Sequence, residues 1–238
     1  CSRMTIAHLQ PLPDPPQGYR YYRSKAEILQ DGRLLSYQHL LLRAWKEMDL
    51  KGVLTLEGIP TVYIRDDERP LLPEEAAEIH RQFWNQGVAT IFLLRDPEKV
   101  RVFSSMTKPV KPCIATKTDI DDRLVETIAL ATQASWADKF YIRLATGQYY
   151  SGDNDTRFDP QQGVDAYLLD NLAAVRDELT EGTAGLEPSV AHAFLGRVLF
   201  TCYLCDRGII NLRDYFPKRS WESLHDLLAE HELSLIHI

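Results

Sequence analysis

The chain has 238 residues, 45% hydrophobic and 26% charged, which is enough apolar material for one large domain or two ordinary ones and excludes a disordered reading. The formal net charge of -7 excludes a globally basic nucleic-acid grip, since Lys and Arg neutralising phosphate supply most nonspecific affinity. Four cysteines are too few for a disulfide framework, and the apolar runs at 89–94 and 198–204 are too short to cross a bilayer, so a cytoplasmic chain with no membrane partner is expected.

Pro11, Pro13, Pro15, Pro16 and Gly18 rule out helix or central strand, so residues 1–19 read as an extended arm. Ser36 is placed to cap a helix whose apolar positions Leu40, Leu41, Ala44, Trp45 and Met48 recur at three and four residues. The period then changes. Residues 52–57 and 61–65 are short β-branched runs joined through Gly58 and Pro60, which predicts a hairpin. Pro73 followed by Glu74 and Glu75 suits the start of a helix, with Ile79, Phe83 and Trp84 on its packing side and Gly87 at its close. Two more strands are expected at 88–94 and 100–103, turned through Asp96-Pro97-Glu98-Lys99. The order is ββαββ, and an α+β domain over 20–110 follows.

Beyond Pro109 and Pro112 the pattern reads as helical. Thr118 or Asp119 is expected to cap a helix through Leu124, Ile128 and Ala131 that continues to Phe140 and Leu144 with a break near Trp136. Val164, Leu168, Leu172, Val175 and Leu179 form a core-facing stripe. After the Gly182 and Gly185 break, Pro188 opens a helix apolar nearly all round, expected at the middle of a bundle. An all-α domain over 111–232 results. The chain opens on Cys1 rather than Met, and residues 233–238 read like translated sequencing adapter, so a truncated reading frame with an artefactual end is expected.

Several longer blocks carry a family likeness. The first runs from Gly52-Val53-Leu54-Thr55-Leu56-Glu57 through Ile79-His80-Arg81-Gln82-Phe83-Trp84 to Arg101-Val102-Phe103-Ser104. Phe158-Asp159-Pro160, Val164-Asp165-Ala166-Tyr167-Leu168-Leu169, and Val190-Ala191-His192-Ala193-Phe194-Leu195 with Asp206-Arg207-Gly208-Ile209-Ile210 follow. Together they resemble the amino-terminal part of large adenine-specific DNA methyltransferases of the restriction-modification type, the type IIG-like N-6 DNA methylases. That resemblance implies an intact protein of a restriction or phage-defence system that binds S-adenosylmethionine and methylates the exocyclic amine of adenine in double-stranded DNA. It also implies that this piece packs on its own missing catalytic domain and is inactive alone. Methyl transfer of this kind needs a Gly-rich turn after a strand and an Asp/Asn/Ser-Pro-Pro-aromatic tetrapeptide gripping the extruded base. Gly182 and Gly185 lie between helices, and Asp14-Pro15-Pro16-Gln17 lacks the aromatic ring. No catalytic or cofactor-binding residue is therefore assigned here.

The ββαββ layout is also similar to nuclease domains that open many such enzymes, which need an acid on one strand and acid-x-Lys on the next to hold Mg²⁺ and orient water. The second strand here offers Tyr63-Ile64-Arg65, which lacks both, so a nuclease-like scaffold without cleavage is expected. Glu57, Asp66 and Asp67 are the available acids should a Mg-dependent nuclease be the function; a non-enzymatic interaction module of a defence complex is the other alternative. Against the acidic average, residues 95–117 are basic, and Arg95, Lys99, Arg101, Lys108 and Lys111 are candidate DNA contacts beside the simpler expectation of a solvated face. Cys202-x-x-Cys205 and His192 read as packing residues, and Asp206-Arg207 as a local ion pair or helix end.

Overall fold

The computed structural model describes residues 12–181 and 185–206, together with positions 209, 210, 214 and 217. Contacts divide the chain into a unit spanning 1–166 and another spanning 167–238. The first carries β1 (Tyr19–Tyr22), α1 (Lys25–Gln30), α2 (Gln38–Glu47), β2 (Gly52–Leu56), β3 (Ile59–Asp66), α3 (Pro73–Gln86), β4 (Ile91–Arg95), β5 (Lys99–Ser104), α4 (Lys117–Asp121), β6 (Leu124–Ala129) and α5 (Gln133–Ala145). After it come α6 (Val164–Glu181) and α7 (Pro188–Asp206).

The strands form one mixed sheet in chain order, β1-β2-β3-β4-β5-β6. Every neighbouring pair is antiparallel except β3 and β4, whose connection through α3 returns the chain in the same direction. Tyr22, Val53, Tyr63, Phe92, Phe103 and Leu124 are register partners on successive strands, so one buried row crosses the whole sheet. Helix α3 lies on this row. The Phe83 ring sits 5.1 Å from Phe92 and 6.3 Å from Tyr63, and the His80 ring 4.5 Å from Phe103. Ile28, Leu41 and Ile120 extend the same core from α1, α2 and α4. On the opposite face Val62, Ile64, Ile91, Leu93 and Val102 meet Ala137, Phe140 and Leu144 of α5, with Tyr149 and Phe158 beyond it. Because both faces are covered, β3 and β4 are nearly continuous apolar runs rather than alternating ones.

The start of α3 is built as the sequence suggests: Pro73 leads, the Glu75 carboxylate accepts from the Leu72 amide at 2.9 Å, and Gly87 closes the helix at φ 61. Ser36, by contrast, does not cap α2, whose N-cap is Tyr37 without a side-chain bond. The strands and helix over 52–104 follow in the order β2-β3-α3-β4-β5, but as the middle of a larger sheet.

Strand β1 begins at Tyr19, and just before it Leu12 is buried and the Tyr141 hydroxyl donates to the Pro13 carbonyl at 3.0 Å. Two further differences stand out. The helix expected through Leu124 and Ile128 is strand β6, and the α+β unit runs on to residue 166 rather than stopping at 110. A spacing of four fits a helical stripe as well as a strand, and β-branched Val125, Thr127 and Ile128 favour the strand once β5 offers an edge. A register shift at Val102/Phe103 turns β6 so that Leu124 joins one core and Ile128 the other. Finally, α7 does not sit at a bundle centre: Phe194, Phe200 and Tyr203 are 45%, 61% and 51% exposed, and α6 has no fully buried residue. Residues 1–11 and 233–238 lie outside the described residues.

Candidate functional site

Where the parallel strands β3 and β4 end side by side, the sheet carries its densest charge. Asp66 and Arg95 are register partners, and the guanidinium forks onto the carboxylate, Nε to Oδ1 at 2.7 Å and Nη2 to Oδ2 at 2.6 Å. Arg65 forks onto Asp67 with both contacts at 3.1 Å, and its Nη1 donates to the Met48 carbonyl at 3.2 Å. Asp96 is fully buried. Its Oδ1 accepts from the amides of Glu98 and Lys99 at 2.9 and 3.0 Å, which shapes the 96–99 turn, and its Oδ2 accepts from Arg101 Nη1 at 2.7 Å. Each carboxylate is thus paired with a guanidinium.

This geometry bears on metal chemistry. Glu57 is exposed in the β2–β3 turn at φ 51, next to Gly58 at φ 84. Asp66 closes the eight-residue β3 that this turn opens. At about 3.3 Å per residue the two carboxylates stand on the order of 20 Å apart, far beyond the reach of one Mg²⁺. Tyr63, where a metal-binding acid would be needed, lies in the sealed aromatic row, and its hydroxyl is buried without a partner. Burial pushes that phenol above its ordinary range. Among the described residues no group of three or more His, Cys, Asp or Glu is placed to hold a metal ion.

The basic stretch is split by the pleat. Arg95 shares a side with its partner Val100 on the α5 face, whereas Arg101 pairs with Leu94 on the α3 face. Both arginines are buried and ion-paired, Arg95 with Asp66 and Arg101 with Asp96. Lys108 and Lys111 are exposed on the segment after β5, and Lys99 is half-buried at its start. Lys117, at the start of α4, is also exposed. Lys99, Arg101 and Lys117, with Glu98 and Asp121, line a cavity of about 210 Å³ between the start of α3 and α4. A second hollow, about 290 Å³ between α2 and α3, is edged by Arg43 and Arg81, which are tied to Glu47 and Glu78.

Two residues that the sequence reading passed over are central to the interior. Asp31 gathers the Tyr22 hydroxyl at 2.6 Å, Arg20 at 2.9 Å and Arg33 at 2.7 Å, and the Arg33 contact, then Tyr22, holds its carboxyl well below the usual carboxylate range. His80 is fully buried with neither ring nitrogen hydrogen-bonded, and burial pushes it down to about 4. Only its place among apolar neighbours on α3 hints at this.

No strand of the sheet leads into a glycine-rich turn: Asp67-Glu68-Arg69 follows β3 and Asp96-Pro97 follows β4. In Asp14-Pro15-Pro16-Gln17 the carboxylate is engaged by Arg23 at 2.9 Å. Gly185 at φ 51 lies between α6 and α7, and Gly182 falls outside the described residues. Cys202 and Cys205 are free and half-buried on α7, where His192 is exposed; the Asp206 side chain and Arg207 are outside the described residues. No helix of the described residues is long and apolar enough to cross a membrane. No family model, no curated protein and no solved structure matches the chain.

Proposed function

We propose that this chain is the accessory amino-terminal part of an adenine-specific DNA methyltransferase of the restriction-modification type, and that its own role is to fold and brace rather than to react. The observation that carries the non-catalytic half of this reading is the pairing at the end of the parallel strands: Asp66, Asp67 and Asp96 each face an arginine. The methyltransferase half rests on the resemblance of residues 52–104, 158–172 and 190–210 to that family. Apolar side chains facing outward on α7, including Phe194 and Phe200, support a role in packing against further protein. They equally favour the second reading, a non-enzymatic interaction module.

The purified chain, incubated with tritiated methyl donor and duplex DNA, should transfer no label, while the intact protein should. Label transfer by the chain alone would overturn the assignment of chemistry to other residues. Plasmid cleavage in Mg²⁺ that disappears in Glu57→Ala would instead establish the nuclease reading. An intact gene lacking both the Gly-rich turn and the Pro-Pro-aromatic tetrapeptide would leave the interaction module.

A further inference from the structure

The cavity between α3 and α4 is lined by Lys99 and Arg101 of β5, Lys117 of α4, the acids Glu98 and Asp121, and an apolar wall, and the proposed methyl transfer does not use it. Arg101 is its most constrained component. The residue is 6% exposed, one of its five N–H donors is taken by Asp96, and its guanidinium makes no other ion pair among the described residues. Its carboxylate partner is locked from the other side by two backbone amides, so the guanidinium cannot swing away without orphaning a buried charge. Among the described residues Lys99 and Lys117 form no ion pair, although Glu98 and Asp121 also line the cavity. The remaining wall, Leu71, Pro73 and Ile120 among it, offers no competing donor or acceptor side chain.

Volume narrows the ligand. The cavity of about 210 Å³ is below the usual range for a cofactor or drug-sized molecule. One tetrahedral anion with a short attachment fits. A planar fork backed by two mobile ammonium groups is the donor set that a phosphate with several free oxygens satisfies best. The low exposure of Arg101 favours a terminal phosphate, which presents more free oxygens to it than a phosphodiester in mid-strand.

We propose that Arg101, Lys99 and Lys117 form a binding site for a phosphate monoester. Arg101 supplies the fixed fork and the two lysines close over the outer oxygens. The phosphate is carried either by the 5′ end of a nucleic acid or by a small phosphorylated molecule. The proposal does not depend on the methyltransferase reading.

The test uses the whole chain and inorganic phosphate as the first probe. Side-chain amine and guanidinium NMR signals should shift saturably with phosphate, and the apparent affinity should fall at least tenfold in Lys99→Gln/Lys117→Gln. Both substituted residues reach solvent, so folding is preserved, and Lys108→Gln/Lys111→Gln, outside the cavity, should leave the titration unchanged. A single-stranded oligonucleotide with a 5′-phosphate is then added, and its 5′-hydroxyl counterpart in parallel. Competition by the phosphorylated strand alone identifies a nucleic-acid end as the source, and no competition by either identifies a small phosphorylated ligand. An absence of saturable shifts, or shifts equal in wild type and Lys99→Gln/Lys117→Gln, would overturn the site.

Discussion

His80 shows how one residue can set the acid limit of the fold. Its ring lies against Phe103, and the backbone of Ser104 and Thr107 runs alongside without meeting hydrogen-bond geometry, so protonation would bury an uncompensated cation. In the unfolded chain the imidazole takes its proton near 6.5, in the folded chain only near about 4. Between those values the unfolded state binds more protons, so this contribution is complete above pH 6.5 and is lost as pH falls toward 4. The loss is on the order of 3 kcal/mol. Urea unfolding at pH 7 and pH 4.5 should show that gap in the wild type and a much smaller one in His80→Leu; equal gaps would mean that carboxylates alone drive it. Gly52 makes a different single-residue demand. A Cβ there would stand 2.2 Å from the Tyr21 ring, which lies across the strand under the Arg23 guanidinium, 4.8 Å from its centroid. Gly52→Ala should therefore cost roughly 1–3 kcal/mol by overpacking. The cost should shrink in Tyr21→Ala, and additive losses in that double-mutant cycle would refute the contact.

At the scale of elements, α3 ties β3 and β4 together by laying one aromatic side chain over two. Phe83 meets Phe92 nearly stacked and Tyr63 edge-on. Removing it should cost about 3–5 kcal/mol, the usual range for a buried Phe→Ala, and thermal unfolding of Phe83→Ala would measure it. Trp84, one residue on, reaches the other way to donate its indole N–H to the Gln162 carbonyl at 3.1 Å. This helix was legible in the sequence because every level agreed: Pro73 and Glu75 at the start, Ile79, Phe83 and Trp84 on one side, Gly87 at φ 61 to stop. The middle strands were legible for the same reason. Strand β6 was not, since Leu124 and Ile128 satisfy a helical spacing and the bulge in its pairing with β5 is a tertiary event without a local signature. The ion pairs were half legible. The residues of 95–101 were visible as charges, but alternate faces of the pleat send Arg95 and Arg101 to different cores, and only register decides which acid each one meets.

For the molecule as a whole, the two units differ in how much apolar surface they enclose. Both cores of the first unit close within residues 12–158: one between the sheet and α1, α2, α3 and α4, the other between the sheet and α5 with Tyr149 and Phe158. A chain shortened to 12–166 should therefore fold alone, giving one cooperative calorimetric transition and retaining the buried Asp66–Arg95 and Asp96–Arg101 pairs. The described part of the second unit has the opposite character. Leu169 is 66% exposed, Phe200 61% and Ile209 67%, and no residue of α6 is fully buried. The whole chain should accordingly self-associate as concentration rises or be captured by its proper partner, whereas the shortened chain should stay monomeric. Sedimentation velocity on both, over a hundredfold concentration range, separates these behaviours. A shortened chain that melts without cooperativity would show that the sheet needs the later helices, and a monomeric full chain at high concentration would remove the case for α7 as a packing surface.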